Sequence, residues 1–266
     1  MAHPIHIGTS GFSYADWKGP FYPPALRTGD MLGFYSRHFS ACELNASYYR
    51  LPTAATTAAL IRKSEGRVRF VIKAHGSMTH ERTAAEAEYR QFNEALRPLQ
   101  DAGLLGAVIA QFPYSFPNSL DNRGYVADLR ARLPEGTELV VEFRHRSWNH
   151  AQVVEWLAGL GVGLVNVDEP DLKGLLPPTD HVTSPVGYVR FHGRNREKWF
   201  QKQAQPWERY DYLYQEEELR EWVPRIRRIA DQAGQTFVFF NNHWQSQAVT
   251  NAKQLAALLG GQAGNG

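Results

Sequence analysis

Charged and imidazole side chains end an otherwise apolar stretch of the chain, residues 140–148, with the sequence VVEFRHRSW. Val140 and Phe143 are typical of a buried strand, whereas Glu142 and Arg144 carry full charges. A guanidinium binds phosphate or carboxylate groups through two parallel hydrogen bonds, and a carboxyl group in a pocket can transfer protons. The stretch therefore predicts an anion-binding site in which Glu142 acts as general base, or as general acid if burial raises its pKa.

Other apolar segments repeat this alternation of apolar and polar residues. Side chains of a strand point alternately to its two faces, so residues two apart share a face. In each of six predicted strands, the polar residues share one face and lie near the carboxyl end. These residues are Glu43, Asn45, Lys73, His75, Gln111, Glu142, Arg144, Asn166, Asp168, Arg190 and His192. In the sixth strand this interpretation assigns Asn166 and Asp168 to the polar face and Val167 to the opposite, helix-facing side.

The residue types suggest a division of chemical roles. The predicted catalytic residues are Glu142, His192, Glu43 and Asp168. The predicted substrate-binding residues supply cations, amides and aromatic walls, and they are Lys73, His75, Arg144, Arg190, Asn45, Gln111, Asn166, Asn242, Trp17 and Trp199. The last predicted strand leaves Asn241 and Asn242 undecided, and we assign Asn242. A purely structural interpretation stays open, in which three cations neutralise three carboxylates.

Gathering these residues requires a fold in which many strands end at one place. Eight short apolar runs are predicted strands, at residues 5–10, 41–47, 69–75, 105–112, 138–145, 163–169, 187–193 and 236–242. Helical patterns separate most of them, which predicts a single-domain (β/α)8 TIM-like barrel over residues 1–260, with a flexible tail at 261–266. Residues 170–185 are too rich in proline for a full sixth helix, so that helix should be short or irregular. A doubly wound open sheet is the alternative, but the turn after the first strand, GTSGFS, lacks the GxGxxG pattern.

A long connection after the seventh strand, residues 193–215, mixes basic and aromatic residues. Residues 187–202 contain five lysine and arginine residues and one acidic residue, Glu197. Basic residues interleaved with aromatic rings are typical of proteins that bind single-stranded nucleic acid. The loop therefore supports an alternative function, that of a non-catalytic nucleic-acid-binding protein. In a structural interpretation, its aromatic residues pack on the barrel rim as a lid.

The composition of the chain narrows the class of protein. The sequence has 266 residues and a formal net charge of +2, which is not typical of a chain-wide surface for polyanions. The single cysteine, Cys42, excludes an internal disulfide. We predict no signal peptide, no membrane span and a cytoplasmic location. The sequence does not indicate an oligomeric state.

No cofactor is predicted, because the sequence lacks HxxxH, HxH and CxxC patterns and nearby cations repel a metal ion. A divalent metal held by carboxylate and imidazole groups stays open as an alternative, as in a metal-dependent phosphoesterase or nuclease. The leading hypothesis is an enzyme, a hydrolase or an isomerase. Its substrate would be anionic, either a phosphorylated small molecule or the end of a nucleic acid.

A series of motifs runs from about residue 5 to about residue 258: GTSGFSYADWKGPFYP, ELNASYYRLP, FVIKAHGSMTH, QFPYSF, VEFRHRSW, VRFHGR, YDYLYQEEEL and FVFFNNHWQSQAVTNA. In this order the motifs resemble those of the YecE-like proteins, domain-of-unknown-function family 72. The resemblance implies a TIM-like barrel and no established activity. In outline the barrel is similar to the xylose-isomerase and apurinic-endonuclease group, but this sequence lacks the many histidine and acidic ligands of a multi-zinc site.

Overall fold

A computed structural model describes residues 3–201 and 207–260 of the chain. Lys202 and the predicted tail at 261–266 lie outside the described residues. Within the described residues, nine strands form one parallel sheet. The strands are β1 (Ile5–Ser10), β2 (Ala41–Leu44), β3 (Arg69–Lys73), β4 (Leu105–Gln111), β5 (Leu139–Glu142), β6 (Gly163–Leu164), β7 (Asn166–Asp168), β8 (Val186–Phe191) and β9 (Gln235–Phe240).

The sheet closes into a barrel because β6 and β7 together fill one strand position. One residue, Val165, separates them, and its amide donates to the carbonyl of Val141 in β5 at 2.9 Å. β6 pairs with β5 on one side, and β7 pairs with β8 on the other. The remaining strands pair in the order β5, β4, β3, β2, β1, β9, β8. Eight strand positions therefore surround the interior, and the predicted (β/α)8 TIM-like barrel is confirmed.

Helices follow seven of these eight strand positions in the described residues. The helices are α1 (Met31–Tyr35), α2 (Ala46–Tyr49), α3 (Ala54–Ser64), α4 (Gly76–Thr79), α5 (Glu86–Asp101), α6 (Leu120–Arg132), α7 (Ala151–Leu160), α8 (Glu216–Gln232) and α9 (Gln247–Leu258). The prolines of residues 170–185 predict a short or irregular sixth helix, and the connection after β7, residues 169–185, contains no helix. None of the described helices has both the length and the apolar character needed to cross a membrane.

Two apolar layers hold the barrel together. The outer layer lies between strands and helices and includes Val141 and Phe143. The inner layer fills the barrel interior, where Val71, Ile109 and Phe239 are fully buried. Burial of such side chains is worth about 1.5–3 kcal/mol each. The inner layer ends before the carboxyl ends of the strands, where the next inward-facing residues are polar.

Candidate active site

Glu142, the last residue of β5, lies at the centre of a buried group of charges. Its Oε2 accepts a hydrogen bond from Arg190 Nη1 at 2.5 Å. Its Oε1 lies 2.7 Å from Arg144 Nη2 and 3.2 Å from His192 Nε2. Arg190 lies in β8 and His192 follows it, and the strand position formed by β6 and β7 separates β8 from β5. The contacts therefore join two strands that are not adjacent in the barrel, above its apolar inner layer.

Arg190 joins Glu142 to a second carboxylate, Glu43 on β2. Arg190 Nη2 donates to Glu43 Oε1 at 2.6 Å, and the Tyr188 hydroxyl donates to Glu43 Oε2 at 2.6 Å. All four side chains are buried. Burying a charge is costly unless a partner compensates it, and here each carboxylate has a guanidinium partner. This part of the group is closed to solvent.

Arg144 lies on the solvent side of the group and follows β5. Its side chain is 12% exposed, against 1% for Arg190. Arg144 Nη1 donates to Glu169 Oε2 at 2.8 Å, and Glu169 Oε1 accepts a hydrogen bond from the Leu176 amide at 3.1 Å. Arg144 is thus held between two carboxylates, Glu142 and Glu169, while part of its side chain stays exposed at the barrel mouth.

Lys73, at the end of β3, pairs with no carboxylate among the described residues. Its Nζ donates to Gln111 Oε1 at 3.0 Å and lies 4.7 Å from the centre of the Tyr48 ring. Gln111 Nε2 donates to the carbonyl of Phe112 at 3.0 Å, which directs the amide oxygen toward the lysine. We refer to the polar side chains at this level as the polar layer, which comprises Glu43, Lys73, Gln111, Glu142, Arg144, Glu169, Arg190, His192 and Asn241.

Burial and neighbouring charges set the protonation states of the polar layer. Although burial opposes its ionisation, the Arg144 and Arg190 guanidiniums hold the pKa of Glu142 well below 4.5. Burial, with Arg144, lowers the pKa of His192 to about 3, so the imidazole is neutral. Burial raises the pKa of Glu169 to about 7, against the opposing charge of Arg144. Glu169 therefore titrates near neutral pH, and Glu142 does not.

The pKa of Lys73 is lowered, as is usual for a buried base. Burial, reinforced by the charge of Arg190, lowers the pKa of Lys73 from 10.5 to about 8. Glu43 and Glu142 oppose this shift only in part. A substantial fraction of the Lys73 amine is therefore unprotonated at slightly alkaline pH.

A pocket of about 320 Å³ opens above the polar layer at the carboxyl ends of the strands. We refer to it as the mouth pocket. Its lining residues are His80, Gln111, Pro113, Tyr114, Arg144, Leu175, Trp199, Phe200, Arg209 and Tyr210. The guanidinium carbon of Arg144 lies 5.6 Å from the centre of the Trp199 ring, a distance at which cation and ring attract. Barrels of this type build their active sites at this face.

The structure brings together about half of the residues that the sequence assigns to the site. Seven of them form most of the polar layer: Glu43, Lys73, Gln111, Glu142, Arg144, Arg190 and His192. Trp199 joins them as a wall of the mouth pocket. Asn45 begins α2 at the end of β2, and its Oδ1 is buried with no hydrogen-bond partner among the described residues.

His75 and Trp17 belong to local structure and do not line the mouth pocket. His75 Nδ1 accepts a hydrogen bond from the Ser77 amide at 3.3 Å and caps the first turn of α4. Trp17 is fully buried, and its Nε1 donates to the carbonyl of His243 at 2.7 Å. Its ring packs on Tyr14 with the ring centres 4.9 Å apart.

The predicted face assignment of the sixth strand is wrong. Val167 belongs to the inner apolar layer, so its neighbours Asn166 and Asp168 face outward. Asp168 accepts hydrogen bonds from the Tyr214 hydroxyl and from Trp222 Nε1, each at 2.6 Å. These contacts attach β7 to α8 through Trp222 and to the chain just before α8 through Tyr214. No helix follows this strand, so the usual rule that the outer face is apolar does not hold for it.

Asn166 fastens the irregular connection to the barrel. Its Nδ2 donates to the carbonyls of His181 and Tyr188 at 2.9 and 3.1 Å. Its Oδ1 accepts hydrogen bonds from the Thr179 hydroxyl at 2.7 Å and from the His181 amide at 2.9 Å. All its hydrogen-bonding capacity is used in this way. The inward position at the end of this strand belongs to Glu169, which the sequence interpretation missed.

At the end of the last strand, the structure shows which of two asparagines faces the barrel interior. Asn241 faces inward, and its Nδ2 lies 3.2 Å from His192 Nδ1. Asn242 faces outward and donates to the carbonyl of Tyr212 and to Asn251 Oδ1, both at 2.8 Å. The assignment of Asn242 to the inward set is therefore wrong, and Asn241 takes that position.

The described part of the connection 193–215 packs on the barrel mouth. Trp207 stacks on Trp244 with the ring centres 3.9 Å apart. Arg194 Nη2 donates to Asp168 Oδ2 at 2.7 Å. Phe200 keeps an exposed ring, at 54%. The packing of Trp207 agrees with the structural interpretation, in which aromatic residues of the loop pack on the barrel rim.

Sequence patterns could have found some of the missed residues. Glu169 and Asn241 are each next to an assigned residue, so the opposite parity would have selected them. His80, Arg209 and Tyr210 come from loops, where no periodicity indicates which side chains converge.

No preformed metal-binding cluster is present in residues 3–201 and 207–260. No group of three or more His, Cys, Asp and Glu side chains is arranged there to hold an ion. Glu43, Glu142 and Glu169 each contact an arginine instead.

The fold and the polar strand ends define a TIM-like α/β barrel with a candidate site at its carboxyl face. Sequence comparison then identifies the family. Residues 6–265 match the family described as "Protein of unknown function DUF72", and the chain belongs to this family. The predicted resemblance is confirmed.

Relatives with known sequences or structures agree with this assignment. The UPF0759 protein YunF of Bacillus subtilis is 30% identical over 270 residues, which cover 96% of this chain and 94% of that protein. The crystal structure of a DUF72 family protein from Thermotoga maritima is 39% identical, with a TM-score of 0.88 over 97% of this chain and 100% of that one. A D-psicose 3-epimerase structure, 12% identical over 89% of this chain and 95% of that one, has a TM-score of 0.51 and shows the fold alone.

Proposed function

We propose that the protein is an enzyme that binds a small phosphorylated substrate in the mouth pocket and carries out acid/base chemistry on it. The observation that carries this proposal is the partly exposed Arg144 side chain, which lines the pocket together with Gln111. Arginine is well suited to bind phosphate or carboxylate oxygens in pairs. The pocket volume of about 320 Å³ lies at the lower end of the range for small-molecule sites.

The walls of the pocket indicate what else the substrate carries. Tyr114, Trp199 and Tyr210 present aromatic surfaces around the opening. Arg209 adds an exposed cation at the rim. Aromatic walls with cations at the floor and rim fit a substrate with a compact body and an anionic end.

The charge balance of the polar layer favours an anion beside Arg144. When all groups are ionised, three cations face three carboxylates, namely Lys73, Arg144 and Arg190 against Glu43, Glu142 and Glu169. Protonation of Glu169 leaves an excess positive charge at Arg144. We expect a bound anion to raise the pKa of Glu169 further, because two negative groups would then share one guanidinium. Substrate binding would therefore be coupled to proton uptake.

The acid/base role shifts away from Glu142, to which the sequence assigns it. The carboxylate of Glu142 contacts two guanidiniums, and its pKa is far from neutral. Glu169 and Lys73, with pKa values of about 7 and about 8, are better matched to proton transfer at neutral pH. We assign proton transfer to these two residues and the positioning of Arg144 and Arg190 to Glu142.

Calorimetric titration tests the proposal. The ligands are phosphorylated sugars and nucleoside monophosphates, each compared with its unphosphorylated counterpart. We expect binding of at least one phosphorylated compound and about tenfold weaker binding to Arg209→Ala, which corresponds to about 1.4 kcal/mol. Arg227→Ala, which removes an exposed arginine on α8, is the matched control and should bind as the unchanged protein does.

Two results would contradict the proposal. One is equal binding of phosphorylated and unphosphorylated compounds, or no binding of either. The other is tight, strongly salt-dependent binding of oligonucleotides that is lost in Arg196→Ala and unaffected by Arg209→Ala. The second result would favour the nucleic-acid-binding alternative.

A further inference from the structure

We propose that Lys73 is the nucleophile of the mouth pocket and forms an imine with a carbonyl group of the substrate. The substrate class would then be a phosphorylated aldehyde or ketone. This inference rests on the proposed function, because it specifies the substrate of the same site, and it leaves proton transfer to Glu169 while Lys73 is bonded to the substrate.

The position of Lys73 is the first support. Its Nζ lies 3.0 Å from Gln111 Oε1, and Gln111 lines the mouth pocket together with Arg144. The amine is therefore one hydrogen bond from the pocket. An anionic group held by Arg144 would bring the body of a small substrate to the side of the pocket where Lys73 lies.

The partners of Lys73 are the second support. Arg144 and Arg190 each contact two carboxylates, whereas Lys73 contacts an amide oxygen and the Tyr48 ring. A lysine that served to balance charge would be expected to contact a carboxylate as the arginines do. An amide oxygen holds the amine in place without favouring its charged form as strongly as a carboxylate would.

The surrounding charge is the third support. Desolvation and neighbouring cations are the means by which proteins activate lysine as a nucleophile. Both apply to Lys73, since burial and the Arg190 guanidinium lower its pKa to about 8. The amine is therefore available in its nucleophilic form under mild conditions.

The chemical step needs no reagent beyond the substrate. The nitrogen lone pair of Lys73 attacks the carbonyl carbon and forms the C–N bond, while the C=O π electrons move to oxygen. Both amine protons then leave with that oxygen as water, and the imine remains. Addition of water reverses the step and releases the carbonyl product and the free lysine.

Reductive trapping in the full-length protein tests the inference. The protein is incubated with glyceraldehyde 3-phosphate or with uncharged glyceraldehyde in the presence of cyanoborohydride, and labelled lysines are located by peptide mass spectrometry. A reduced imine adds the mass of the aldehyde less one oxygen atom. We expect saturable labelling of Lys73 at low probe concentration, faster with the phosphorylated probe, and little labelling of the exposed Lys63 on α3.

Two substitutions distinguish reaction at Lys73 from the nonspecific reaction of exposed lysines. Lys73→Met removes the amine at similar side-chain length and should abolish the saturable labelling, whereas Lys63→Met should leave it unchanged. If Lys73→Met does not fold, the ratio of labelling at Lys73 and Lys63 in the unchanged protein still decides the question.

The outcomes distinguish the two proposals. Labelling of exposed lysines alone, while calorimetry detects a bound phosphorylated compound, would overturn the imine and leave the proposed function intact. Equal, saturable labelling of Lys73 by both aldehydes would support the imine and contradict the requirement for a phosphorylated substrate.

Discussion

At the scale of single residues, the polar layer contains two kinds of charged group. Some are held in one ionisation state by opposite charges, and others have pKa values at which they can exchange protons. Glu142 contacts two arginines, and its carboxylate is fixed in the ionised state. Glu169 and Lys73 have fewer compensating partners, and their pKa values lie near neutrality. For the two carboxyl groups the difference follows from the number of guanidiniums that contact each one, whereas Lys73 lacks a contacting carboxylate, because an opposite charge favours ionisation while burial opposes it.

Replacement of Glu142 should destabilise the protein, because its carboxylate compensates the charges of Arg144 and Arg190. Glu142→Gln leaves two buried guanidiniums with one carboxylate fewer, and we expect the free energy of unfolding to fall by about 3–5 kcal/mol. Glu155→Gln, an exposed position on α7, is the control and should change it by less than about 0.5 kcal/mol. Urea unfolding followed by circular dichroism measures both. A loss as small as that of the control would show that the arginines do not depend on Glu142.

The difference in the free energy of unfolding between the unchanged protein and Glu142→Gln should depend on pH. The pKa of Glu142 in the folded protein lies well below 4.5, its ordinary value. Its contribution to stability is therefore present above about pH 4.5 and is lost as the pH falls through the folded-state pKa. Unfolding curves at a series of acid pH values should show the advantage over Glu142→Gln shrinking. An advantage that stays constant into the acid range would contradict the depressed pKa.

At the scale of elements, the sixth strand position differs from the others. Val165 interrupts it, and polar side chains occupy its outer face. Asp168 connects it to α8 and to the connection 193–215 through Trp222 and Arg194. Hydrogen bonds to a buried carboxylate thus take the place of the apolar contacts by which a following helix usually covers a strand.

Asp168→Asn should weaken this attachment. All groups that contact Asp168 are donors, so the new amide NH2 group would face a donor and leave it unpaired. We expect the free energy of unfolding to fall by about 3 kcal/mol. Ligand affinity of the folded protein should not change, because Asp168 points away from the mouth pocket. Asp171→Asn, at an exposed position, is the control. Lost affinity without lost stability would instead support the catalytic role that the sequence assigns to Asp168.

At the scale of the whole molecule, the barrel is covered unevenly. Helices cover most of the sheet, while residues 169–185 cover the sixth position with irregular chain. In residues 170–183, amide hydrogen bonds to acceptors in the described part of the chain are confined to Leu175, Leu176 and His181. Segments with few such bonds open at low free-energy cost. We therefore expect this segment, beside Glu169 and the mouth pocket, to open at low free-energy cost.

Hydrogen exchange should reveal this unevenness. We expect amides in 170–183, apart from the three that are bonded, to exchange long before those of β1 and β9, which pair with neighbours on both sides. The interior amides of α5 before Pro98 provide an internal reference for a regular helical ladder. Mass spectrometry of peptides resolves these segments. Exchange in 170–183 as slow as in α5 would contradict the prediction.

The sequence indicates the fold well because the fold depends on repeated local patterns. Eight apolar runs with helical patterns between them predict eight strand positions, and the prolines of 170–185 predict the irregular sixth connection. Alternation also predicts the inward residues of β2, β3, β5 and β8. Alternation gives the wrong inward residues at the sixth and last strand positions, because Asn166 and Asn242 form hydrogen bonds with groups outside the barrel. The sequence pattern of a single strand does not show such partners.

The sequence alone determined that charged residues end the strands of a barrel, because the side-chain period of a strand and the length of the apolar runs are local properties. Only the tertiary structure decided which of those charges compensate each other. Glu142 lies between Arg144 and Arg190, and Lys73 lies beside an amide, because side chains from different strands converge inside the barrel. Protonation and reactivity depend on those distances, and distances between strands far apart in sequence exist only in the folded chain.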